Sequence, residues 1–404
     1  GLVVQATLSS DGDFSRNSGL FQRRALRHNA AMKFSGWVLI LAALSLSPAF
    51  AEPARVYFGT YTRGGDSKGI YHASFDAETG KLGDPVLAAE SENPSFLAIA
   101  PSGRTLYAVS EVGGAGGGIV TAYRILESGD LEQINEQPSG GAGPCHVSTS
   151  ADGKIVALAN YGGGSVASYR VGEDGSLSEP VSTVQHTGSS VNPKRQKGPH
   201  AHSINFSPDG RFAYAADLGT DRVYVYAVDA ATGALSRVGE TAVVPGSGPR
   251  HFAFRPDGKF AYVINEILLT VTAFQADAAT GALTEIQTIT TLPEGEEPVG
   301  STAEVVCHPS GRFLYGSNRG HDTIVVYRID EKAGTLTYVE HESIRGETPR
   351  NFAVSPDGRW LLAAGQQSNT VAVFRIDEET GALEFADSEI ELGSPVCIRF
   401  EPEQ

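Results

Sequence analysis

Arg250 and His251, in the segment GPRH, stand shortly before Asn265-Glu266, the polar end of the apolar run FAYVIN. The arrangement recurs along the chain. One set of polar residues precedes or opens a short apolar strand: His146 in GPCH, His200 and His202 in GPHAHS, Arg250 and His251, Glu304 in STAE, and Arg350 and Asn351 in TPRN. A second set ends the strand that follows: Glu111, Asn160 and Tyr161 in NYGGGS, Asp217 in DLGTD, Asn265 and Glu266, Asn318 and Arg319 in SNRGHD, and Gln366. Imidazole and carboxylate groups exchange protons in catalysis. Guanidinium groups hold carboxylate or phosphate through paired hydrogen bonds. Arg250, Arg319 and Arg350, in a chain of net charge −16, point to a bound anion. The His200-x-His202 spacing is a poor indicator of metal, and the expected site holds neither metal nor cofactor. NYGGGS lacks the lysine of a phosphate-binding loop, and no helix follows it. No Gly-x-Ser-x-Gly stretch is present, so an attacking water is preferred to a covalent nucleophile.

The elements that must position these residues are repeats. A turn of Asp or Ser, Gly and a basic residue recurs every 47 to 57 residues: Ser102-Gly103-Arg104, Asp152-Gly153-Lys154, Asp209-Gly210-Arg211, Asp257-Gly258-Lys259, Ser310-Gly311-Arg312 and Asp357-Gly358-Arg359. A second turn appears as DAETGKL (76–82), DAATGAL (229–235 and 277–283), DEKAGTL (330–336) and DEETGAL (377–383). Between them lie runs that alternate at period two, such as VYVYAV and VAVFRI, with no helical pattern. Each unit reads as four strands, A to D, and a period near 50 signals a propeller. Six units are complete, at about 93–136, 143–180, 198–240, 248–288, 301–340 and 348–387. Residues 54–84 lack an A strand, which SPVCIRF (394–400) supplies. The expected fold is therefore all-β: a seven-bladed β-propeller of four-stranded antiparallel blades, closed by a blade shared between the two ends of the chain. Starts of A and ends of B then meet at one mouth of the central channel. Side chains alternate along a strand, so Arg250 and His251 are expected on opposite faces, as are Arg350 and Asn351. The extra residue in GPHAHS predicts a bulge that puts His200 and His202 on one face.

NYGGGSVASY, GPHAHSINFSPDGRFAYAADLGTDRVYVY, GPRHFAFRPDGKFAYVINE, HPSGRFLYGSNRGHDTIVVY and TPRNFAVSPDGRWLLAAGQQSNTVAVF together resemble the 6-phosphogluconolactonase-type lactonase family, which includes the carboxy-muconate cyclases. The resemblance covers nearly all of residues 54–400 and implies hydrolysis of a sugar lactone to its aldonic acid. One departure is NEILLT (265–270), where leucine replaces a small polar residue and is expected to reshape the pocket floor. The expected mechanism has Glu304, His146 or His202 as the base that activates water, and Arg250 as the oxyanion stabiliser. Arg319 and Arg350 bind an anionic group of the substrate. Asn160, Asp217, Glu266 and Gln366, with His200, hold hydroxyls or orient the other groups. Two alternatives stay open. One is a muconate-type lactonising cycloisomerase; the other is a non-catalytic exported propeller that binds or scaffolds, favoured if Glu304, His202 and Arg250 lie beyond water-bridged reach of one another.

Composition narrows the partners. Residues 1–51 hold five basic and two acidic side chains, which leaves 26 basic against 45 acidic in the remainder, a net charge of about −19. Such a surface repels nucleic acid and anionic lipid; the resemblance implies a small, anionic lactone as the partner, and a monomer is expected. Met32-Lys33, the apolar run Trp37 to Leu46 and Ala49-Phe50-Ala51 read as a signal peptide over 32–51, followed by the propeller domain at 52–404 in the periplasm or outside the cell. The apolar run is too short to span a bilayer. Residues 1–31 are expected to be an upstream extension. Cys145, Cys307 and Cys397 lie singly, without zinc spacing, and are expected to be small buried apolar residues.

Overall fold

The computed structural model describes residues 54–114 and 117–402. The segments read as an upstream extension and a signal peptide lie outside the described residues. The described residues form 29 β-strands in seven antiparallel sheets. Six sheets run A-B-C-D in chain order; the sheet Pro249–Phe254, Phe260–Asn265, Thr270–Ala276 and Leu283–Thr290 is representative. In the seventh, Pro395–Phe400 pairs antiparallel with Ala54–Thr60, which pairs with Gly69–Asp76. Each inner strand packs against the inner strands of both neighbouring sheets, and Pro395–Phe400 against Phe96–Ile99, so the ring closes as a seven-bladed propeller.

Why these residues form these sheets is visible in one repeated contact. The B strand of five blades carries a buried tyrosine whose hydroxyl donates to a turn-glycine carbonyl of the next blade: Tyr57 to Gly129, Tyr107 to Gly175, Tyr214 to Gly281, Tyr262 to Gly334 and Tyr315 to Gly381, at 3.0–3.2 Å. Gly334 has φ 70°, and a Cβ there would stand 2.2 Å from the Phe260 ring, so glycine is required both by conformation and by space. Trp360 makes the equivalent link by donating Nε1–H to Ala77 O at 2.8 Å. The alternating runs thus bury one face against each neighbouring sheet, and the turns key adjacent blades together.

Two details differ from the sequence expectation. The outer strand of the second blade is Ser182–Gln185, beyond the expected limit at 180; an isolated Val171–Leu177 bridge precedes it, and Pro180 falls in the interruption between the two. The outer edge of the closing blade is broken into Lys81–Leu82 and Val86–Glu90, both paired with Gly69–Asp76.

Ring closure rests on Pro395–Phe400, in which Cys397 and Ile398 are fully buried. Ile398→Ala is expected to cost about 2–4 kcal/mol in urea unfolding. Deletion of residues 394–404 is expected to expose the edge of Ala54–Thr60 and give an aggregating chain; a stable truncated monomer by light scattering would contradict the closure.

Candidate active site at the channel mouth

The hairpin between A and B carries both polar sets to one rim through backbone contacts. Glu111, Tyr161, Glu266 and Gln366, each just past a B strand, donate their backbone N–H to the carbonyls of Asn93, Gly143, Gly248 and Thr348, which precede the A strand of the same blade. The A strands then depart from simple alternation. Pro249 pairs with Asn265 and His251 with Ile264, leaving Arg250 as an unopposed bulge residue. The same register shift leaves out Cys145, His202, Arg350 and Val396, and the Thr302/Val305 step carries a corresponding shift. A bulge lets two successive side chains point the same way. Arg250 and His251 therefore both reach the channel, contrary to the expectation from alternation: Arg250 Nη1 donates to His251 Nε2 at 3.0 Å. His200 and His202 both lie against Tyr161, the first stacked at 4.5 Å and the second edge-on at 5.2 Å between ring centroids.

At the hub, residues from several blades form one connected set. His251 Nδ1 lies 2.8 Å from Glu304 Oε1, and because Arg250 occupies Nε2 the imidazole proton belongs on Nδ1 and is donated to Glu304. Glu304 also accepts from the Val305 N–H at 3.0 Å and from Asn351 Nδ2. Three donors thus converge on its two oxygens. Arg250 donates Nε–H to Glu266 Oε2 at 3.0 Å and Nη1–H to Ala303 O at 2.7 Å. Glu266 further receives Arg319 Nη2 at 3.1 Å and Arg195 Nη2 at 2.6 Å. His146 and His202 flank His251, each with its ring centroid 5.4 Å away, and Phe96 closes the floor beside His146. His202 Nε2 stands 3.9 Å from Glu266 Oε2, too far for a direct hydrogen bond and close enough to share a water with it. Above this buried tier, Arg350 stands 5.3 Å over the Tyr61 ring, and Tyr61 donates to Glu111 Oε2 at 2.8 Å.

Burial sets the protonation states. It pulls His146, His202 and His251 well below the ordinary histidine value, helped by His251 for the first and by Arg250 for the other two. All three are neutral at pH 7. Burial pushes the Glu304 carboxyl up, with Arg399 and Arg250 opposing. At Glu266 burial is outweighed by the charges of Arg319, Arg250 and Arg195, which hold it well below the usual carboxylate range. Burial and repulsion from Arg350 weaken the hold of Arg250 on its proton, yet a guanidinium stays charged at neutral pH. Arg319 Nε–H is buried with no hydrogen-bond partner among the described residues.

Of the residues expected at the site, the structure brings together His146, His202, Arg250, Glu266, Glu304, Arg319 and Arg350, with His200 at the rim. Gln366 is half-buried at the rim, its backbone bonded to Thr348. Asn160 and Asp217 sit one position too early. Period two turns them away from the mouth: Asn160 Nδ2 donates to Ser139 O and Ser165 Oγ, and Asp217 accepts from His186 and from the backbone of His200, Gly219 and Thr220. Leu269, in the departure NEILLT, takes φ 51° where equivalent turns place Asp221 and Asp322, and it is buried under the rim. Sequence reasoning missed Tyr61, Phe96, Arg195 and Arg399. Arg195 alone had a signal, the basic run PKRQK in an acidic chain. The three cysteines are free thiols, with Cys145 and Cys397 buried and Cys307 partly so. Among the described residues no group of three or more histidine, cysteine or carboxylate side chains is arranged to hold a metal ion.

Residues 55–400 match the family model described as lactonase, 7-bladed β-propeller. The chain is 38% identical over 345 residues to a 6-phosphogluconolactonase of Bacillus subtilis, an alignment covering 85% of this chain and 97% of the relative. It is 35% identical to a 6-phosphogluconolactonase of Formosa agariphila, over 74% of this chain and 86% of that one. Among solved structures, the periplasmic gluconolactonase of Pseudomonas aeruginosa superposes with a TM-score of 0.81 at 37% identity, covering 86% of this chain and 99% of that one.

The buried neutral histidines link stability to pH. Their folded-state affinity for protons is lowered, so below about pH 6.5 the unfolded chain binds more protons and stability falls with pH, by up to about 1.4 kcal/mol per pH unit for each group. The urea midpoint is expected to drop between pH 7.5 and 5.5, and less steeply in His146→Gln. An equal drop in that variant would remove His146 from the account.

Proposed function

This chain belongs to the seven-bladed β-propeller lactonase family, and from that premise we propose that it opens a sugar lactone by attack of water assisted by His202. The observation that carries the reading is the adjacency of a neutral imidazole, His202, to Arg250 and Arg319 across Glu266. His202 Nε2 takes a proton from water as the water oxygen attacks the lactone carbonyl carbon. The oxyanion forms beside the guanidinium groups of Arg250 and Arg319, which Glu266 holds together. Collapse breaks the ring C–O bond, and the departing alkoxide recovers the proton from His202. The product is a hydroxy acid that releases a proton at neutral pH.

Glu304 is assigned a positioning role in this scheme. With its oxygens committed to His251, Asn351 and Val305 it fixes the tautomer of His251, which in turn fixes Arg250. Glu266 anchors the arginines in the same way. Arg350, whose charge is favoured by Tyr61, Glu111 and Glu266 over the effect of burial, is the cation offered to an anionic group elsewhere on the sugar. We also infer export of the mature chain from about residue 52. Met32-Lys33, the apolar run and Ala49-Phe50-Ala51 have the order of a signal peptide, and the Pseudomonas aeruginosa relative is named as periplasmic.

With gluconolactone, after subtraction of spontaneous hydrolysis, His202→Gln is expected to lower kcat by about 10²-fold or more, and Arg250→Ala by a similar factor. An Arg250→Ala enzyme as fast as wild type on every lactone tried would remove the assignment. Because His202 is neutral well below pH 6.5, kcat/KM is expected to stay level from pH 6 to 8; an inflection near 6.5 that disappears in His202→Gln would contradict the buried-imidazole scheme.

A further inference from the structure

Residues 186–200 form the longest link between successive sheets, running from Ser182–Gln185 to Ala201–Phe206. The link is strapped down along its length. His186 bridges Asp217 Oδ2 at 2.6 Å and the Tyr226 hydroxyl at 2.7 Å. Ser190 Oγ donates to Asp221 Oδ2 at 2.5 Å. Gln196, fully buried, donates to Leu218 O and accepts from the Asn192 N–H, each at 2.9 Å. This anchoring fixes the run PKRQK over the channel mouth. Lys194 and Lys197 are exposed, whereas Arg195 reaches inward to Glu266 Oε1 and to the Tyr161 hydroxyl at 3.1 Å.

The guanidiniums on Glu266 are not equivalent. Arg250 is 2% exposed and is also tied to Ala303 O; Arg319 is 15% exposed and is also tied to Thr302 O at 2.6 Å. Arg195 is 41% exposed, and its second partner is a single hydroxyl. It is the most exposed of the trio and the one whose side chain can turn toward a ligand, and its departure leaves Glu266 with the two less exposed cations. A sugar phosphate brings a charge of about −1.5 to −2 at neutral pH, more than Arg350 alone balances. A neutral lactone makes no such demand.

We propose that Arg195 is the specificity residue for phosphorylated lactones: its guanidinium leaves Glu266 for the substrate's phosphoryl oxygens while Arg250 and Arg319 keep Glu266 in place. The inference rests on the lactonase reading and decides between two substrates that differ by one phosphate.

The test compares wild type, Arg195→Gln and Arg195→Lys in kcat/KM on 6-phosphogluconolactone and on gluconolactone. Calorimetric Kd values for 6-phosphogluconate and gluconate are measured alongside. Arg195→Gln is expected to lower the phosphorylated-to-neutral ratio about tenfold or more, through KM, and to lower the ratio of binding constants likewise. Arg195→Lys is expected to recover part of both. Ratios within twofold of wild type overturn the proposal. So do equal losses on both substrates, which would make Arg195 a support for Glu266. If wild type turns over neither lactone, the lactonase reading fails, while the binding ratio still decides the role of Arg195.

Discussion

A one-residue bulge near the start of the inner strands is the constraint on which the channel mouth depends. Strict alternation would give each A strand one channel side chain at this level and send its neighbour between the sheets. With Arg250 unopposed in the ladder, both it and His251 enter the channel, and they hydrogen-bond to each other. The corresponding shift at Thr302/Val305 accompanies Glu304 facing His251 from the adjoining blade. Shifts at Cys145, His202 and Arg350 repeat the device around the ring. A hub that would hold one polar side chain per blade thereby gains a second tier.

Crowding cations and imidazoles in a nearly dry space carries an electrostatic cost that the arrangement offsets locally. Glu266 receives three guanidiniums, and the two less exposed of them, Arg250 and Arg319, each also have a backbone carbonyl. An ion pair left incomplete in such a place costs several kcal/mol, so Glu266 is a structural keystone as much as a functional one. The histidines respond by staying neutral, which leaves them able to accept protons. Cations remain in excess over carboxylates at the mouth although the chain as a whole is strongly acidic. An anion is therefore repelled by the general surface and held at one place.

The ring was legible in the sequence because each blade repeats its own punctuation: the Asp-Gly and Thr-Gly turns mark strand ends, and SPVCIRF supplies the strand missing from residues 54–84. The hub was legible in part. Residues opening the A strands were identified, since polar groups there interrupt an apolar pattern. Asn160 and Asp217 were assigned to the mouth because they end a B strand, yet the residue after each such position, as with Glu266 and Arg319, is the one that faces it. The extra residue in GPHAHS precedes the bulge rather than forming it: the shift at His202 is the one found at Arg250 and Arg350, and all three are visible only in the strand pairing. Arg195 was missed because its link has no counterpart in the other blades, so no repeat drew attention to it.

The central claim is that bulged inner strands assemble a single anion-binding catalytic hub. A crystal structure with the aldonate product bound tests it most directly. The product carboxylate is expected within hydrogen-bonding distance of the Arg250 or Arg319 guanidinium and next to His202, with Arg250 and His251 side by side in the channel. A product bound on the opposite face of the ring, or Arg250 turned away between the blades, would contradict it.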